Sequence, residues 1–99
     1  MEIKKELINI IVLGVLDKKD YTSTDLYDKM QEIVSISEGS LFKVIKSLEE
    51  VNLINGYQVK DGGHNRNMYR ITSLGRVRLE DFEKEYDMVI EVYKYLKEL

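Results

Sequence analysis

Ninety-nine residues, 43% of them hydrophobic, suffice for one domain with a modest core, and a second copy would let the chain bury more. The absence of Cys excludes a disulfide framework, thiolate metal sensing and a thiol redox switch, and fits a reducing, cytoplasmic setting. A net charge of −3 excludes a uniformly basic nucleic-acid sponge; yet residues 37–78 carry seven basic and four acidic side chains (+3), against −2 for residues 1–36 and −4 for residues 79–99.

Residues 2–16, EIKKELINIIVLGVL, have the outline of a secretory signal: two lysines, then an apolar run. Glu2 and Glu6 flank the lysines, however, and no small-residue cleavage site precedes Asp17. The run is also far shorter than the roughly 20 residues that span a bilayer, so no membrane association is expected. It is read as a buried first helix over residues 3–16, with Leu7, Ile10, Ile11 and Gly14 at helical spacing.

A second helix begins at Thr22 or Ser23, either of which can cap it, with Asp25 near its first amides and Leu26, Met30 and Ile33 facing inward. A few residues later a third helix opens at Ser37, with the apolar stripe Leu41, Val44, Ile45, Leu48 and Val51. Its opposite face carries Gly39, Ser40, Lys43, Lys46 and Ser47, small and basic residues that allow close approach to a duplex. An ordinary solvated face is the alternative.

Residues 54–72 read as a β-hairpin. Tyr57 and Val59 alternate on one strand, Tyr69 and Ile71 on the other, and the loop 61–65, DGGHN, supplies residues that tolerate positive φ. Lys60 and Arg66 flank the loop, where an Arg can reach a groove or a phosphate; it can equally be only a turn. Thr72 then caps a long helix over residues 73–99, in which Leu79, Phe82, Tyr86, Val89, Tyr93 and Leu96 recur with the heptad period and Ile90, Val92 and Leu99 widen the stripe. Such a helix asks for a partner, and another copy of the chain is the simplest one; packing wholly onto its own domain is the alternative.

No catalytic constellation competes. His64 is the only histidine, has no Cys or paired carboxylates beside it for a metal, and offers no nucleophile–base pair, so it is read as exposed loop or a phosphate neighbour. Gly62 and Gly63 do not open a helix, as a phosphate-binding loop would require. No enzyme, no cofactor and no metal are expected.

At this point the chain resembles the PadR-like winged-helix transcriptional regulators, in particular the small subgroup with a single C-terminal helix. Residues 36–54, ISEGSLFKVIKSLEEVNLI, are similar to that family's small residue, Leu-Tyr, variable pair, Leu-Lys-Arg-Leu-Glu and closing Leu-Ile. Residues 69–75, YRITSLG, are similar to its Tyr-Arg-Leu-Thr-x-x-Gly, and residues 11–16, IVLGVL, to its first-helix start. The resemblance implies an α+β, mostly α fold: a winged helix-turn-helix of three helices and a two-stranded wing over residues 1–72, and a dimerisation helix over residues 73–99. It implies a homodimeric repressor with helix three in the major groove, Ser40, Phe42, Lys43 and Lys46 as recognition positions, and Arg66 and Arg70 as wing positions. It also offers Tyr86 as an aromatic that meets a flat aromatic effector at the dimer centre.

The chain departs from the pattern in three places. Phe42 stands where the family has Tyr, Ser47 where it has Arg, and the wing keeps only Arg66 of a basic cluster. Each lost phosphate contact lowers affinity and flattens its salt dependence by roughly 0.9 in log–log slope. The expected DNA-facing set is Ser37, Gly39, Ser40, Phe42, Lys43, Lys46, Ser47, Lys60, His64, Arg66 and Arg70, acting on a pseudo-palindromic duplex. A winged-helix dimer that docks a protein instead of DNA is the alternative from another class, and a ligand-sequestering protein is a third.

Overall fold

The computed structural model describes residues 4–99; Ile3, the expected start of the first helix, lies outside the described residues. The elements run α1 (Lys5–Lys18), β1 (Tyr21–Thr22), α2 (Ser23–Ile33), α3 (Glu38–Glu50), β2 (Ile54–Asp61), β3 (His64–Ile71) and α4 (Ser73–Lys97). Three hydroxyls set three of the helix starts. Thr22 Oγ1 accepts from the Asp25 amide at 3.0 Å, Ser37 Oγ from the Ser40 amide at 3.1 Å, and Thr72 Oγ1 from the Gly75 amide at 3.0 Å. Such caps contribute about 0.5–2 kcal/mol each. Lys4, at the start of α1, makes no side-chain cap.

The core gathers Val12, Leu13 and Leu16 of α1, Leu26 and Met30 of α2, Leu41, Val44, Ile45 and Leu48 of α3, and Ile54, Tyr69 and Ile71 of the sheet. Full burial of each aliphatic side chain stabilises by about 1.5–3 kcal/mol. Two expected core positions lie outside it. Ile33 is 51% exposed, because α2 ends there: Val34 turns extended, and Val34 and Ile36 take the inward places. Val51 is 56% exposed at the end of α3, where Asn52 adopts φ 61° and the Leu53 amide reaches back to the Leu48 carbonyl, turning Leu53 toward the core instead. The first helix is also less enclosed than its sequence implies. Val12, Leu13, Val15 and Leu16 are buried, but Leu7 is 42% exposed and Ile8, Ile10 and Ile11 only half-buried.

The hairpin gains a third strand. The sheet order is β1-β3-β2, with Tyr21 opposite Tyr69 and Thr22 opposite Met68. The hairpin loop is only Gly62 and Gly63, with φ of 59° and 85° as a type I′ turn requires, so His64 and Asn65 belong to β3 rather than to the loop.

The passage into α4 is tight. The Thr72 hydroxyl, besides capping α4, donates to the Asn52 carbonyl at 2.7 Å, tying the end of α3 to the start of α4. A Cβ on Gly75 would lie 2.3 Å from the Leu53 carbonyl oxygen, so only glycine allows this approach. Arg76 Nε meets Asp17 Oδ1 at 3.2 Å, joining α4 to α1. The result is a winged helix-turn-helix with a long C-terminal helix, extending 63 × 29 × 21 Å. Its radius of gyration, 15.8 Å, exceeds the roughly 13 Å of a compact domain this size, since α4 runs on beyond the core and most of its far half, Ile90 aside, is exposed among the described residues.

Candidate nucleic-acid interface

The exposed face of α3 carries Gly39, Ser40, Phe42, Lys43 and Lys46. Leu41, Val44, Ile45 and Leu48 hold the helix down from the opposite side, so the 3.6-residue period decides which side chains reach outward. Ser37 and Ser40 are hydrogen-bonded to one another through their hydroxyls at 2.9 Å at the helix N-terminus, where free amides favour an anion. Phe42 is 53% exposed, and the Lys46 ammonium lies 5.2 Å from its ring centroid. That contact steadies a charge next to an apolar surface, on a face with no acidic side chain between Ser40 and Lys46. Ser47 is half-buried, at the edge of this face.

The β2–β3 register divides the wing into two unlike faces. Ile54 pairs with Ile71, Gly56 with Tyr69, Gln58 with Asn67, and Lys60 with Asn65; these share the side on which Ile54, Tyr69 and Ile71 enter the core. Asn67 and Tyr69 line, with Phe42, Leu41, Ser23 and Tyr27, a groove of about 440 Å³ between α2, α3 and the wing. Burial, and next the Glu49 carboxylate, push the Tyr69 phenol above its usual range. On the other side Asp61 faces His64, Val59 faces Arg66 and Tyr57 faces Met68.

Of the expected wing residues, Lys60 therefore shares the side that looks toward α3. His64, Arg66 and Arg70 share the outer side. Arg66 Nε pairs with Asp61 Oδ2 at 3.1 Å, which offsets part of its charge near the tip. Arg70 places its guanidinium 4.9 Å from the Tyr57 ring centroid, and the Tyr57 hydroxyl donates to Asp20. The residues the sequence reading passed over are Gln58, Asn65 and Asn67, a neutral amide row beside α3. Their signal was available: counting by twos from Tyr69 and Ile71 puts Asn67 and Asn65 on the same side of β3.

On α4, Leu79 packs against the domain's own core and Phe82 is half-buried, while Tyr86, Val89, Tyr93 and Leu96 are exposed. Phe82 and Tyr86 stack at 6.1 Å with an interplanar angle of 24°. They form one wall of a cleft of about 450 Å³, whose other lining includes Asp17, Arg76 and Leu79. No helix among the described residues is long and apolar enough to cross a membrane.

Residues 12–81 match the Transcriptional regulator PadR-like family. A protein of Lysinibacillus sphaericus, itself uncharacterised, is 35% identical over 95 residues, covering 91% of this chain and 86% of the relative. Among solved structures, a PadR family transcription regulator from Clostridium difficile R20291 is similar with a TM-score of 0.81 at 26% identity, over 90% of this chain and 96% of that one. Bacillus subtilis PadR, solved in complex with operator DNA, shares the fold with a TM-score of 0.70 at 21% identity, over 77% of this chain and 45% of that one.

Proposed function

The chain belongs to the PadR-like family of transcriptional regulators, and from that premise we propose that it is a homodimeric repressor that reads a pseudo-palindromic duplex. The observation that carries this reading is the face of α3: Ser40, Phe42, Lys43 and Lys46 stand outward together beside the amide-lined side of the wing. Lys43 and Lys46 meet phosphates and base edges, Ser37, Gly39, Ser40 and Ser47 allow the helix to approach, and Phe42 presents an apolar surface suited to a thymine methyl. From the wing, Lys60, His64 and Arg66 lie near enough to the tip to reach the adjacent groove. That this chain shares its fold with a PadR protein solved in complex with operator DNA supports a duplex as the partner.

The reading divides the work between residues 1–72, which address DNA, and residues 73–99, which join two copies. Phe82, Tyr86, Val89, Tyr93 and Leu96 supply the joining surface, with Leu79 anchoring the helix to its own domain. Two copies related by a two-fold axis set their recognition helices about one duplex turn apart, roughly 34–36 Å. An aromatic effector would meet Tyr86 next to the ring of Phe82 at the centre of the dimer, and shift the population of spacings that fits the operator.

The test is gel-shift binding to the DNA upstream of the protein's own coding region, at two salt concentrations. Lys43→Ala with Lys46→Ala is expected to weaken binding and to lower the log–log salt slope by about 1.8, the share of two phosphate contacts. Specific binding that survives the double substitution unchanged removes α3 from the reading. Absence of any preferred duplex favours the protein-docking alternative, for which the Asp61–Arg66 pairing at the wing is the supporting observation.

A further inference from the structure

We propose that Arg70 is a positioning residue for the wing: it completes a stack of Asp20, Tyr57 and its own guanidinium that braces the hairpin from its outer side, and it makes no contact with the DNA backbone. The proposal rests on the DNA-reading function only for one arm of its test.

Three observations meet at this place. The first is register. Arg70 pairs with Asn55, one residue out of step with the Gly56–Tyr69 and Ile54–Ile71 pairs that enter the core. Its side chain therefore leaves the sheet on the side away from α3. The second is occupancy. The guanidinium already lies 4.9 Å from the Tyr57 ring centroid, within the range where the ring's negative face attracts a cation, and reaching a phosphate would mean abandoning that contact. The third is the anchor beyond the ring. The Tyr57 hydroxyl donates to Asp20, which sits 37 residues earlier in the link between α1 and β1.

The ring of Tyr57 thus links the two charges, the carboxylate at its hydroxyl and the guanidinium over the ring. The hydrogen bond to Asp20 more than burial holds the Tyr57 phenol above its usual value, while the nearby Arg70 acts in the opposite sense. The brace has a mechanical purpose. Strand β1 supports β3 only at Tyr69 and Met68, so the eight-residue strands project well past their lateral support. A tie at Tyr57 fixes the angle at which the hairpin leaves the domain, and with it the position of the tip beside α3.

The experiment compares Arg70→Ala, Tyr57→Leu and the double variant with the wild type, reading hairpin amide exchange and the salt dependence of DNA binding. Neither side chain belongs to the core, so circular dichroism is expected to report an unchanged fold. Arg70→Ala should accelerate amide exchange in β2 and β3 severalfold and weaken binding severalfold, without changing the log–log salt slope. In the Tyr57→Leu background it should add nothing further. A slope lowered by about 0.9 would identify a phosphate contact and overturn the proposal. Unchanged exchange, or an undiminished effect without Tyr57, would overturn it as well. If the wild type selects no DNA, the regulatory reading falls, and the exchange measurement still decides the brace.

Discussion

Tyr69 belongs to the core and to the groove at once. Its ring is nearly buried, opposite Gly56, where a Cβ would approach that ring to 3.3 Å and Glu49 Oε2 to 3.1 Å. Burial raises the phenol above its unfolded value near 10, with Glu49 adding to the effect. The neutral phenol is the form the folded state favours. Its contribution is therefore complete below about pH 10 and is lost as the pH rises through the folded value. Tyr69→Phe should accordingly flatten the fall of the thermal midpoint between about pH 9 and pH 11, and a fall as steep as that of the wild type would show that other groups govern the alkaline limb. Phe42 makes the complementary point on the surface. Its exposed ring carries no hydroxyl and lies under the Lys46 ammonium, so that on the proposed reading it would meet DNA through shape and charge rather than by donating a hydrogen bond.

Among the elements, the junction of α3, β3 and α4 is packed too closely for a side chain at Gly75. Gly75→Ala would push a methyl into the Leu53 carbonyl and the Ile71 side chain, at 2.3 and 2.6 Å. We expect it to lower stability by about 1–3 kcal/mol, the usual cost of overpacking, read as a reduced urea midpoint; an unchanged midpoint would mean that the helix start shifts freely. The glycine stood in the sequence within YRITSLG, but its reason did not, because a contact with Leu53 depends on how two elements meet. The helix starts were legible, since Thr22, Ser37 and Thr72 each bring a hydroxyl to the point where apolar periodicity begins. The burial of the last apolar residue in two helices was not: Ile33 and Val51 keep the phase of their helices, but the chain leaves the helix there and both stay exposed. Strand β1 escaped notice because two residues carry no period. The two-faced wing lay between these cases. Alternation could be read from Tyr69 and Ile71, whereas the stacking of Arg70 on Tyr57 follows from a cross-strand diagonal that only the register reveals.

At the scale of the whole molecule, α4 is long for what it covers. Twenty-five residues span about 37 Å, and Tyr86, Val89, Tyr93 and Leu96 along it remain open to solvent. Pairing with a second copy would cover them, and the half-exposed Leu7 side of α1 lies open as well. Val89→Glu places a charge on this surface at a position 64% exposed in the single chain, so the fold should persist while association fails. Sedimentation should show the dimer dissociation constant rising roughly tenfold or more, ~1.4 kcal/mol being one decade. A dimer of unaltered affinity would move the joining surface elsewhere. The close seat of Gly75 on Leu53, with Thr72 bonded across it, would have a mechanical meaning for such a dimer: so tight a junction resists bending and would act as a weld rather than a hinge. Tilting α4 by about 5° carries its far end about 3 Å, given ~1.5 Å of rise per residue, and a welded joint returns the same rotation to the domain at the other end. In the proposed dimer the long helix would act as a crank, turning small displacements between two copies into changes in the aim of their recognition helices.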